Sequence, residues 1–131
     1  MSVGELTPTQ TEDLKRAVRR AEEDSGLRFS LYLGAAEGEP RAQAEQLHAA
    51  LTDPPHSVLV LCDPEKRALE IVTGAEARRT LEDGECALAA LGMKSSFEGG
   101  DIVRGLAQGV IQLGRAARAP ETLHVTPPDA D

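Results

Sequence analysis

A chain of 131 residues is long enough for one hydrophobic core but not for two. Only Phe29, Tyr32 and Phe97 are aromatic and there is no Trp, so the core must be aliphatic and stacking platforms for bases or sugars are nearly absent. A net charge of −8 argues against phosphate backbones, and hence nucleic acid, as partners.

The first element is a helix opening at Thr7-Pro8-Thr9-Gln10: Thr7 caps, Pro8 suits the first helical position, and Gln10 completes a capping box. Leu14, Val18 and Ala21 form its apolar stripe, and Ser25-Gly26 stops it because glycine accepts the left-handed conformation. Its basic run Lys15, Arg16, Arg19, Arg20 reads as a solvated face, with Glu12–Arg16, Arg19–Glu23 and Arg20–Asp24 spaced for pairs one turn apart. Leu27 to Leu33 alternates apolar and polar, as a half-buried strand does. After a Gly, Ala and Glu loop, Arg41 to Leu51 carries Ala44, Leu47, His48 and Leu51 at helical spacing. Ser57 to Asp63 is a continuous aliphatic run ending in a cysteine and an aspartate, which suits a strand covered on both faces.

Strand, helix, strand makes a βαβ unit, so the first two strands are expected parallel. The next run, Ala68 to Thr73, follows after too few residues for a crossover and must form an antiparallel hairpin. A turn or short helical piece then precedes a helix from about Asp83 to Ser95. Asp101 caps a final helix whose Ile102, Leu106, Val110, Leu113 and Ala117 share a stripe. Gly105 and Gly109 beside that stripe suggest close approach to the sheet. The expected architecture is a single-domain α/β/α sandwich over residues 1–119, with a central mixed sheet of about four strands and helices on both faces. Residues 120–131 form a tail, partly disordered, with a possible short edge strand over 122–125.

No N-terminal stretch has the pattern of a secretory signal and no apolar run approaches a membrane span, so a cytoplasmic chain without a membrane span is expected. Cys62 and Cys86 read as buried thiols in a reducing compartment.

From Val58 to Arg115 the sequence resembles the TPM domain family, and most of all its small cytoplasmic actinobacterial members of unknown function (DUF5130-like). The residues that carry the likeness are the apolar strand ending in Asp63-Pro64, then Leu69-Glu70-Ile71-Val72-Thr73-Gly74, Glu76, and Leu81-Glu82-Asp83. Most specific is Phe97-Glu98-Gly99-Gly100-Asp101 followed by Arg104-Gly105-Leu106 and Gly109-Val110. The resemblance implies an α/β sandwich. Members of the family have been linked to weak phosphatase activity, calcium binding, membrane-protein repair and receptor modulation, and many carry signal peptides and anchors.

Chemistry is less legible. Gly34 to Glu37 and Asp63 belong at the carboxyl end of the parallel strands, where open sheets bind ligands, whereas Thr73, Gly74 and Glu76 belong at the other end. Asp63, Asp83 and Asp101 are the candidate metal ligands, for Ca or Mg, since hard cations take several carboxylate oxygens. Each also has a structural explanation, Asp63 as a turn residue and the other two as helix caps. No catalytic residue is assigned: His48, His56 and His124 are dispersed, Cys62 is in a buried strand, and Ser95-Ser96 lacks a nucleophile elbow. The residues favour a monomeric, non-catalytic protein-binding or accessory module without a cofactor, whose partner is an unidentified protein. Ala75 to Arg79 and Tyr32, the latter on the polar face of its strand unless a helix covers it, are the contact surface it suggests. The alternative is a weak divalent-metal-dependent phosphatase or a calcium-binding domain.

Overall fold

The structure, a computed structural model, describes residues 6–118. Helix α1 (Pro8–Ser25) leads into strand β1 (Arg28–Leu33), helix α2 (Pro40–Ala49), strands β2 (Ser57–Asp63) and β3 (Ala68–Thr73), and helices α3 (Asp83–Glu98) and α4 (Ile102–Ala116). Short 3₁₀ turns cover Pro54–His56 and Ala77–Arg79. Local chemistry sets the ends of α1: the Thr7 hydroxyl accepts from Gln10 N–H at 3.0 Å, the Gln10 side chain accepts from Thr7 N–H at 2.9 Å, and Gly26 adopts φ 76°. The exposed charges of α1 pair partly as their spacing suggests. Arg20 meets Asp24 at 3.4 Å, but Arg16 turns to Asp13 and Arg19 reaches back two turns to Glu12.

The sheet has order β1-β2-β3, with β1 and β2 parallel and β2 and β3 antiparallel. Among the described residues it has three strands; the fourth strand suggested at 122–125 lies outside them. In the β1–β2 register Phe29 stands beside Val58 and Tyr32 beside Leu61, and in the hairpin Asp63 faces Ala68. Every residue of β2 is buried, as its unbroken aliphatic run requires. Val58, Val60 and Cys62 enter the larger core with Phe29, Leu69, Met93, Leu106, Val110 and Leu113. Leu59, Leu61 and Val72 pack on the opposite face with Ala44.

Helix α2 covers that second face, in contact with β2 and β3. On the first face α1 lies against β1 and α3 against β3, with α4 between the two helices and touching both. Tyr32 therefore does not sit on a solvated face: it is half-buried against the α2-side cluster, and its hydroxyl donates to Ala35 O at 2.8 Å. The glycines of α4 serve helix–helix approach rather than the sheet. A Cβ on Gly105 would stand 2.7 Å from Ser96 Cβ, one on Gly109 would strike the Met93 side chain, and one on Gly114 would stand 2.6 Å from Ala21 Cα. None of the described helices is long and apolar enough to cross a membrane.

Candidate functional site

The carboxyl ends of β1 and β2 lie side by side, and the best-organised polar cluster of the molecule is there. Asp63 is the last residue of β2 and 1 % exposed. Its Oδ2 accepts from Ala36 N–H at 2.9 Å, and its Oδ1 accepts from Glu65 N–H at 3.1 Å and Lys66 N–H at 3.2 Å. The donors belong to two loops: Ala36 to the one after β1, Glu65 and Lys66 to the turn after β2. Lys66 closes the link, its Nζ donating to Ala36 O at 3.0 Å and Gly38 O at 2.9 Å. The bond from Ala36 N–H, supported by those from the turn and by the Lys66 charge, holds the Asp63 carboxyl below its ordinary value against the opposing effect of burial. A carboxylate offers about four acceptor positions, and three here hold backbone. Asp63 is therefore a clamp between two loops.

Behind that clamp a groove of ≈ 450 Å³ opens between the β2–β3 turn and the α3–α4 junction. Leu69, Phe97 and Ile102 contribute apolar lining; Arg67, Lys94 and Glu98 contribute charge. Arg67 closes the turn at φ 53°, a left-handed conformation that favours glycine or asparagine.

The other two acidic candidates stand apart. Asp101 Oδ1 accepts from Arg104 N–H at 3.1 Å and caps α4 as its position suggests; it lines the cleft between α1 and α4 together with Arg16, Arg20 and Arg104. Asp83 is exposed and is the first residue of α3, not its cap. Glu82 occupies the cap, its N–H donating to Glu85 Oε1 at 2.9 Å. Among the described residues no group of three or more His, Cys, Asp and Glu is placed to hold a metal ion. At the far end of the sheet, Thr73 pairs with Val58, Arg78 Nη1 donates to Thr73 O at 2.6 Å, and Glu76 pairs with Arg79 at 3.1 Å. Gly74 is required there because a Cβ would overlap the Pro54 and Pro55 carbonyls. The suggested contact segment Ala75 to Arg79 is thus partly structural, with Ala77 fully buried.

The nucleophile and base candidates are likewise occupied or suppressed. Burial, and secondarily Asp63, pushes the Cys62 thiol up to about 11. Burial, then Asp83 and Glu85, does the same to Cys86, also to about 11. Both stay protonated at neutral pH and are poor nucleophiles. His48 is buried under α2, its Nε2 2.9 Å from Ser57 O, so that ring nitrogen donates to the carbonyl. His56 Nδ1 meets Asp53 at 3.1 Å.

The surface that sequence reading missed is the outer side of α3. Leu88 and Leu91 are 63 % and 67 % exposed, the large hydrophobic side chains left outside the core among the described residues. The signal was present: Cys86, Ala87, Leu88, Ala90, Leu91 and Met93 are too many apolar residues for one buried stripe. Ala89 and Met93 face inward, and Leu88 and Leu91 project on the opposite side.

The fold is shared by several solution NMR structures of low sequence identity. The BA42 protein of the psychrophilic bacterium Bizionia argentinensis superposes with a TM-score of 0.74 at 19 % identity, covering 86 % of this chain and 81 % of that one. The N-terminal domain of the cg2496 protein from Corynebacterium glutamicum gives 0.73 at 13 % identity, covering 94 % and 83 %. In sequence, uncharacterised proteins from two strains of Mycobacterium tuberculosis are 30 % identical over 80 residues, 61 % of this chain and 48 % of theirs. The chain thus spans about half the length of those curated relatives. Residues 5–113 match the domain of unknown function DUF5130, and the chain belongs to that family.

Proposed function

We propose that the chain is a non-catalytic protein-binding or accessory module of the TPM-like type, working in the cytoplasm, with residues 1–119 as one domain. The observation that carries this reading is the outward face of α3, where Leu88 and Leu91 expose most of their side chains to water. Exposed apolar side chains grouped on one helix face mark interaction surfaces, and burying one such leucine contributes about 1.5–3 kcal/mol. Ala89 and Met93, packed into the core on the inner side of α3, give that face a fixed platform.

A photo-crosslinking amino acid in place of Leu91, in the full chain in cells, tests the reading. A discrete protein adduct is expected, and Leu88→Asp is expected to abolish it. Absence of any adduct, or adducts indifferent to Leu88→Asp, overturns the reading. So does a divalent-metal-dependent phosphate-ester turnover that is lost in Asp83→Asn or Asp101→Asn.

A further inference from the structure

We infer that the occupant of this face is a second copy of the same chain, its α3 packed antiparallel across a two-fold axis. The inference rests on the reading of the α3 face as a protein-binding surface and names its partner. Gly84, Leu88, Leu91 and Ser95 recur at intervals of four, three and four residues, which places them on one line along the helix. Gly84, Leu88, Leu91 and Ser95 are all outside the buried set of α3, which consists of Ala89 and Met93. The line reads the same in both directions. Turned about its midpoint, Leu88 faces Leu91 of the partner subunit and Gly84 faces Ser95 of the partner subunit. Large side chains meet at the centre and small ones at the ends, the self-complementarity that an isologous contact demands.

Charge fixes the direction. Asp83 and Lys94 are both exposed, and no ion pair among the described residues uses either. At about 100° per residue they fall on the same flank of the helix, roughly three turns apart. An antiparallel two-fold brings like flanks together, so Lys94 arrives within about 3 Å, along the axis, of the partner's Asp83. A parallel pair would set that flank against the one carrying Gly92, and Lys94 would have no acidic partner at its level. Glu98 lies on the same flank as Lys94 and offsets part of the attraction. Two helix faces with a pair of leucines each make a small contact, of the class below about 1,200 Å² that weak, transient pairs use. A net charge of −8 on each chain also opposes association, so the pairing is reversible.

Sedimentation equilibrium of the full chain, from micromolar to millimolar, tests the inference. Reversible dimerisation is expected, abolished by Leu88→Asp. Asp83→Lys and Lys94→Asp each weaken it at least fivefold, the double exchange restores it, and Glu98→Gln tightens it. Circular dichroism melts confirm that each variant is folded. A dimer indifferent to Leu88→Asp, or a double exchange that restores nothing, overturns the antiparallel α3 contact. A chain monomeric throughout, yet crosslinked through position 91 to a different protein, overturns self-pairing and leaves the protein-binding reading standing. A monomer without adducts removes both.

Discussion

The two faces of the sheet are held by different physics. On one, α1, α3 and α4 bury a continuous apolar core against Val58, Val60 and Cys62. Backbones approach closely there: Gly114 of α4 leaves room for Ala21, and Gly109 for the Met93 side chain. On the other, α2 covers the sheet alone with ten residues, of which only Ala44 and His48 are buried. That small apolar cluster is supplemented by polar links: Arg41 to Glu70 at 3.3 Å and Ile71 O at 3.0 Å, His48 to Ser57 O at 2.9 Å, and the Asp63 clamp on Ala36. One short helix cannot bury enough surface, so directional bonds fix what area leaves loose. The larger face should fail through volume and charge, the smaller one through lost acceptors and pH.

Leu106→Asp should break the three-helix face outright. Leu106 is 1 % exposed, and an unpaired carboxylate there costs on the order of 4 kcal/mol or more. Loss of the cooperative circular dichroism melt is the expected result; a native-like melt would show that α4 is rotated from the orientation described.

Asp63 probes the smaller face. Asp63→Ala strands three backbone N–H groups, and a loss of about 2–3 kcal/mol is expected in urea unfolding. The pH dependence has a definite sign. The folded-state pKa lies below the ordinary 3.8, so its contribution is complete above that value and is lost as pH falls through the folded pKa. Acid melts of Asp63→Asn should therefore be flatter below about pH 4 than those of the parent chain. Parallel acid profiles would assign the acid sensitivity to other carboxylates.

Gly114→Ala sharpens the contrast within the larger face. Its Cβ would stand 2.6 Å from the Ala21 Cα, and backbone cannot step aside as a side-chain tip can. Overpacking should outweigh the gain in helix propensity, for a net loss of about 1–2 kcal/mol by denaturant titration. Gly109→Ala should cost less, because the Met93 thioether is free to repack. Smallest is Arg41→Ala. The guanidinium is half exposed and its pairs with Glu45 and Glu70 are screened, so thermal melts should register no more than about 1 kcal/mol.

Sequence alone determined what depends on near neighbours along the chain. The Thr7–Gln10 capping box, the left-handed Gly26, the Asp101 cap, the parallel order of β1 and β2 and the antiparallel hairpin all follow from residues within a few positions or from the length of a connection. Only tertiary structure decided which neighbour each surface meets. Asp83 is the better cap by residue type, yet the capping position falls on Glu82, whose N–H donates to Glu85 Oε1. Small residues on α4 announce close approach but not to what, and the answer was α3 at Gly105 and Gly109 and α1 at Gly114, rather than the sheet. Ala36 reaches Asp63 across 27 residues, a bond that no local pattern encodes. The exposure of Leu88 and Leu91 belongs to the same class. Periodicity counts apolar residues on a helix, but burial is set by how many sides other elements cover, and α3 has one side left open.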